Sequence, residues 1–195
     1  MTLSSTDQKA ALRREKLKLR NGLAEEMRIA AAFDLADRAK AVFEDDFMPG
    51  TIVAGYHPIR SELDPRPLMA VLADLGARLC LPVVTGETTM EFRELLRGGT
   101  LSDSGFGTIG PDETAAVMDP EVLLVPLSVF DTKGGRIGYG AGFYDRAIEK
   151  LENKGQEPTL IGIAFDEQQA DFVPMERHDR RLGTILTPTR TIKAG

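Results

Sequence analysis

Residues 123–145 read Leu123-Leu-Val-Pro-Leu-Ser-Val-Phe-Asp-Thr-Lys-Gly-Gly-Arg-Ile-Gly-Tyr-Gly-Ala-Gly-Phe-Tyr-Asp145. The short apolar run Leu123 to Leu127, bounded by turn residues, predicts a buried strand. Phe143 to Lys154 has helical spacing, with Ile148 and Leu151 inward and Gly155 at its end. A strand, a glycine-rich loop and a helix in that order form the repeating unit of an α/β fold. Working outward, Thr51 to Tyr56, Arg78 to Val84 (despite Pro82), Thr159 to Phe165 and Gly183 to Thr187 read as further strands. Met90 and Phe92 alternate with charged neighbours, as on a half-exposed strand. Ser5 and Gln8 have capping-box spacing and open a helix marked by Leu12, Leu19 and Leu23, which Asn21-Gly22 ends or bends. A second helix runs from Glu25 to Phe43 with Ile29, Phe33, Ala36 and Phe43 toward a core. Pro65 opens a third, carrying Leu68, Met69, Leu72 and Leu75, and Gly76 closes it. Residues 97–119 form the longest irregular stretch. The expected architecture is a single domain over 1–195, with a mostly parallel central sheet and helices on both faces (three-layer α/β/α).

The loop carries the most chemistry. Glycines at 138, 140 and 142 let backbone N–H groups approach a ligand closely, and the helix N-terminus behind them favours anions. Lys133 and Arg136 add positive charge. The loop lacks the Gly-Lys-Ser/Thr of a Walker loop, and Phe143 stands where a dinucleotide fingerprint needs glycine. Spacing alone leaves two readings, a phosphate cradle or a glycine-rich turn without a ligand. Asp145 is a dipole partner of its helix or a hard oxygen ligand for Mg²⁺. Asp179, in Arg177-His178-Asp179, is a second carboxylate of that kind or half of a surface ion pair. Lys9 and Arg13 share a helix face at i and i+4, as a solvated cationic face or as a clamp on phosphates. His57 and Glu62 lie past the first strand, where open parallel sheets place ligands. A packed loop histidine and a helix-opening acid are the plainer readings of these two.

Composition narrows the class. The 195 residues are 42% hydrophobic and 28% charged, as in an ordinary globular chain, with a formal net charge of −6. That balance argues against a nucleic-acid binder. The only basic block is Lys9 to Arg20, with six Lys or Arg and one acid, Glu15. One cysteine, Cys80, forms no internal disulfide, and two histidines offer no zinc cluster. No apolar run approaches the roughly 18 residues of a membrane span, and the N-terminus lacks the apolar stretch of a signal peptide. A cytoplasmic location is expected, with no membrane or obligate protein partner.

Taken together these segments resemble the 5-formyltetrahydrofolate cyclo-ligase family, over nearly the whole chain and in order. Lys-x-x-Leu-Arg matches Lys9 to Arg13, and a strand followed by Glu-Leu-Asp and Pro matches Tyr56 to Pro65. Leu81-Pro82 and Met90-x-Phe92 match a Leu-Pro strand and Met-x-Phe. The long glycine signature matches Phe130 to Arg146. Pro174 to Asp179 and Thr187-Pro188 match the late motifs. Ile137 and Phe143 are conservative departures from Leu and Tyr. A Gly-Ile-x-Glu-Pro loop is replaced by Phe106-Gly-Thr-Ile109-Gly110-Pro111, so its acid is absent or is supplied by Asp112 or Glu113.

The resemblance implies that ATP is bound by Lys9, Arg13 and Arg136 to Tyr144 (Ile137, Gly138, Tyr139, Gly140, Ala141, Gly142 and Phe143 between them). It implies a reduced folate at His57, Glu62 and Tyr139 to Phe143, Mg²⁺ on Asp145 and Asp179, and catalytic roles for Arg136 and Lys9. The implied reaction phosphorylates the formyl oxygen of 5-formyltetrahydrofolate and closes the 5,10-methenyl ring by attack of N10. A sugar-phosphate isomerase or acyl-group enzyme with Glu62 as base, and a non-catalytic nucleotide- or folate-binding protein, are the competing readings.

Overall fold

A computed structural model of the chain describes residues 4–43, 48–105, 107–176 and 179–194, without the side chains of 40–42. Phe106, Arg177 and His178 lie outside the described residues. Among the described residues there are four α-helices: α1 Ser5–Asn21, α2 Glu25–Phe43, α3 Arg66–Asp74 and α4 Phe143–Asn153. The strands are β1 Ile52–Ala54, β2 Arg78–Val84, β3 Met90–Glu94, β4 Leu101–Asp103, β5 Ile109–Pro111, β6 Val117–Met118, β7 Val122–Pro126, β8 Val129–Phe130, β9 Arg136–Ile137, β10 Thr159–Ile163, β11 Thr184–Leu186 and β12 Thr191–Lys193.

Eight strands form one sheet in the order β12-β11-β10-β7-β1-β2-β3-β6. The five central strands, β11 to β2 in that order, are mutually parallel, and antiparallel strands flank them at both ends. Pro82 is tolerated for a visible reason. Arg78 N–H donates to Thr51 and Gly55 N–H donates to the Cys80 carbonyl, so the even positions of β2 face β1. β1 ends opposite Cys80, before Pro82 would be asked for its missing N–H.

Two apolar layers cover the sheet. On one face, α2 and α3 pack Leu35, Leu68 and Leu72 against Val53, Leu124 and Ile161. On the other, α4 packs Ile148 and Leu151 against Ala54, Leu123 and Val125. The expected three-layer α/β architecture is therefore present. The sheet is wound both ways from its middle. After β1 the chain passes through α3 to β2 on one side; from β7 it passes through α4 to β10 and β11 on the other. The order reverses between β1 and β7, which opens a crevice beyond their carboxyl ends.

Several local expectations are corrected. Ser4, not Ser5, caps α1, its hydroxyl accepting from Asp7 N–H. Ile29 and Phe33 are 53% and 60% exposed, while Ala31, Ala32, Leu35, Ala36, Ala39 and Phe43 face the core. The buried stripe is mostly alanine, which lets the α2 backbone lie close to its neighbours. Leu19 is also exposed. Part of the irregular stretch folds into the antiparallel pair β4–β5, and β6 adds to the sheet edge. Among the described residues no helix is long and apolar enough to cross a membrane.

Candidate functional site

The glycine loop leaves β7 at the reversal point. Asp131, 2% exposed, shapes its first half. Its Oδ1 accepts from Lys133 and Gly135 N–H, and its Oδ2 from Val173 N–H. Those bonds close the β8–β9 turn. The Lys133 side chain stays exposed there. At Gly134 a Cβ would lie 2.3 Å from the Leu182 carbonyl, so only glycine fits. Beyond β9, Gly140 and Gly142 adopt φ of 104° and 67°, a region costly for other residues, and Gly142 delivers the chain to α4.

Cations from distant segments converge on this loop. Arg13 Nε donates to the Gly138 carbonyl at 2.7 Å, and its guanidinium lies 3.5–3.6 Å from where a Cβ on Gly140 would be. Lys9 Nζ is 2.5 Å from Asp179 Oδ2 and 3.3 Å from Glu176 Oε2. Burial pulls the Lys9 pKa down, but the bonds and charges of Asp179 and Glu176 outweigh it and leave it raised. Arg136, 7% exposed, reaches Asp145 Oδ1 at 2.6 Å through Nη2 and the Arg180 carbonyl through Nη1. Cations and carboxylates singled out for separate roles are thus paired, Lys9 with Asp179 and Arg136 with Asp145.

Asp145 accepts on Oδ1 from Arg136 and, at 3.4 Å, from Arg180 N–H, so Oδ2 faces no donor among the described residues. No group of three or more metal-ligating side chains occurs among the described residues. This donor set suits a hard cation that takes one or two carboxylates and completes its shell with phosphate oxygens and water. It does not suit a metal held by protein alone.

The second half of the site follows β1. Glu62, 9% exposed, accepts from Ile59 N–H at 2.9 Å. Burial pushes its pKa up from 4.5 to about 7, against the Ile59 bond, the Arg20 charge and a Tyr139 hydrogen bond, which pull it down. Tyr139 therefore links the cradle to the β1 loop. The Tyr144 hydroxyl, at the start of α4, is buried without a partner among the described residues, and burial drives its pKa far up. His57 is half-buried, in the neighbourhood of Asp64. Phe143 and Arg146 stack, the guanidinium 5.4 Å from the ring centre. Cys80 is buried with its thiol pushed up to about 12, which removes it as a nucleophile. Of the two candidates for the missing loop acid, Asp112 accepts from the Thr114 N–H and hydroxyl, while the Glu113 backbone carbonyl accepts from Arg93. Gly110 occupies that place, and a Cβ there would lie 2.9 Å from Val83 Cγ2.

Two residues escaped the sequence reading. Glu176 pairs with Lys9 across 167 positions, which no local pattern encodes. Arg20 is 1% exposed and donates to Ser61 and Tyr139. Its signal was present. At about 100° per residue, positions 9, 13 and 20 of a helix fall within roughly 40° of one another.

The 5-formyltetrahydrofolate cyclo-ligase family model matches residues 5–188. A 5-formyltetrahydrofolate cyclo-ligase of Mycolicibacterium smegmatis is 33% identical over 154 residues, covering 74% of this chain and 77% of the relative. The cyclo-ligase of Escherichia coli is 30% identical over 144 residues, covering 71% and 78%. The structure of 5,10-methenyltetrahydrofolate synthetase from Aquifex aeolicus superposes with a TM-score of 0.79 at 24% identity, covering 95% of this chain and 92% of that one. The corresponding Mycoplasma pneumoniae structure gives 0.74 at 22%, covering 92% and 98%. At those identities the two structures speak for the fold.

Proposed function

Because the chain belongs to the 5-formyltetrahydrofolate cyclo-ligase family, we propose that it converts 5-formyltetrahydrofolate to 5,10-methenyltetrahydrofolate at the expense of ATP, releasing ADP and phosphate. The observation that supports a phosphoryl-transfer site in this chain is the convergence of Lys9, Arg13 and Arg136 with the positive-φ glycines at the reversal point of the sheet.

The formyl oxygen is a poor leaving group. Transfer of the γ-phosphoryl group to it breaks the β–γ bridge, releases ADP and turns that oxygen into part of a phosphate. N10 then attacks the formyl carbon, the C–O bond breaks with loss of phosphate, and N10 gives up its proton. The first step needs positioning and charge neutralisation more than covalent chemistry. Lys9, Arg13 and Arg136 supply the charge, and the backbone N–H groups of residues 138–144 supply donors at the helix start. Mg²⁺, when held by Asp145 and Asp179, would screen the phosphate oxygens. The second step is intramolecular, so holding the folate in one orientation lowers its barrier by several kcal/mol. Tyr139 to Phe143 border both ligands, and His57 and Glu62 bind the folate. Glu62, with a pKa of about 7, is the group suited to take the N10 proton near neutral pH. The reading places the enzyme in the cytoplasm, acting on small molecules alone.

The test is direct. Protein, 5-formyltetrahydrofolate and ATP·Mg are mixed, and ADP and the methenyl product are followed together. ADP appearing in step with product supports the ligase. Binding without turnover argues for a carrier or regulator, and inertness toward the folate returns the isomerase to consideration.

A further inference from the structure

Arg20 lies in the middle of the site's second half, and no step above uses it. An arginine does not lose its proton, and an unpaired cation held away from water costs several kcal/mol. At 1% exposure Arg20 must be compensated from within. Its Nε donates to Ser61 Oγ at 3.0 Å, and its Nη2 to Tyr139 Oη at 2.5 Å. The guanidinium also lies over the Tyr139 ring, 5.6 Å from its centre. Ser61 in turn donates to the Asn21 side chain, fastening the end of α1 to the β1 loop. Nη1 is buried with no partner among the described residues. These are neutral acceptors and a ring face, and none carries a full negative charge. The ionisable groups gathered here are Arg20 from α1, Arg60, Glu62 and Asp64 from the β1 loop, Tyr56 behind them, Tyr139 from the cradle and Tyr144 from α4. Asp64 is taken by Arg66, to which it is tied at 2.6 Å. Arg60 is exposed, with its guanidinium 5.9 Å from the centre of the Tyr139 ring. Among the described residues, Glu62 is the anion left to balance Arg20.

We propose that Arg20 is a positioning residue of the reaction: it fixes the Tyr139 hydroxyl and, as the buried cation beside Glu62, favours the ionised, proton-accepting form of Glu62. The chain Arg20–Tyr139–Glu62 joins α1, the cradle and the β1 loop, the three segments that must close around the two substrates. The assignment rests on the folate reading for its catalytic consequence, and on the burial of Arg20, its bonds to Ser61 and Tyr139 and its charge beside Glu62 for its effect on Glu62.

The test separates the two. The Glu62 carboxyl carbon is followed by ¹³C NMR titration of the free protein, in wild type, Arg20→Met, Arg20→Lys and Tyr139→Phe, with circular dichroism to confirm folding. Removing an adjacent positive charge raises a carboxyl pKa by about one to three pH units. Arg20→Met should show that rise, and Arg20→Lys should stay close to wild type because it keeps the charge. In the same variants, the acid limb of kcat should move with the titration of Glu62. Glu62 titrating at the wild-type position in folded Arg20→Met overturns the proposal, as does a kcat profile that ignores the shift. Should Arg20→Met fail to fold, Tyr139→Phe carries the test. It should raise Glu62 by less, and an unmoved titration there overturns the chain equally. A shifted titration in a protein inert toward the folate would sink the proposed function and leave the Arg20 assignment standing.

Discussion

Glu62→Gln offers a quantitative test of the energetics of the site. Glu62 is 9% exposed, and burial raises its pKa from 4.5 to about 7. Between those values the folded protein holds a proton that the unfolded chain has released. Stability therefore falls as pH rises through this window. The full benefit is present below 4.5, and the full cost above 7. At about 1.4 kcal/mol per pH unit, the fall amounts to roughly 3 kcal/mol. Glutamine keeps the shape and the oxygen that accepts from Ile59 N–H, but does not titrate. The quantity to follow is the stability of the variant minus that of wild type, from urea unfolding at a series of pH values with m checked for constancy. It should climb by about 3 kcal/mol between pH 4.5 and pH 8, whatever its starting value. That starting value includes the cost of leaving Arg20 without its counter-charge, which is why the slope and not the offset carries the argument. A difference flat to within about 0.5 kcal/mol over that range would show that Glu62 is neither buried nor perturbed as the fold requires.

Arg136→Lys should stay impaired although it keeps the charge, because one ammonium does not reproduce a fork that reaches both Asp145 and the Arg180 carbonyl. A loss of roughly 1.5–3 kcal/mol in kcat/KM is expected, and turnover equal to wild type at saturating ATP would remove the role. Lys9→Ala should raise KM for ATP more than KM for the folate, measured by steady-state kinetics; equal changes would leave Lys9 as a strut between α1 and Asp179. Asp145→Asn should weaken Mg²⁺-dependent activity, with partial rescue by excess metal; an unaltered metal titration would exclude Asp145 as a ligand. Gly162→Ala should destabilise by about 1–3 kcal/mol in urea unfolding, since its Cβ would lie 2.5 Å from Leu182 Cδ1 and 2.9 Å from Leu127 Cδ2. An unchanged midpoint would mean that the layer under β10 is looser than it looks.

The parts of the fold that announced themselves are those where apolar runs meet clear punctuation. β2 was readable over Arg78–Val84 through its proline, and α2 over Glu25–Phe43. The facing of α2 was misjudged because Ile29 and Phe33 outrank alanine in hydropathy, whereas close packing on α3 selects the Ala31–Leu35–Ala39 side. β8, β9 and β12 are two or three residues long, too short for an alternation to register. In the site, the cradle and its flanking acids were visible because glycine spacing and a helix start are local. Their pairing was not. That Arg136 rests on Asp145 and Lys9 on Asp179 depends on how the chain returns to itself. Arg20 was hidden among the charges of α1, where a stripe of three inward cations looks like part of a solvated surface.

The separation along the chain of those contacts has a consequence for how the protein is made. Lys9 meets Asp179 across 170 positions, Arg13 meets Gly138 across 125 and Arg20 meets Tyr139 across 119. The helix that carries all three cations leaves a ribosome well before these partners do. Until those partners emerge, α1 has the β1 loop at Ser61 to meet but not the cradle, while β1 and β2 can already pair. Closing such distant contacts comes late on the folding path. A nascent or interrupted chain can therefore hold paired strands and still lack a site, because segments more than a hundred residues apart assemble it together.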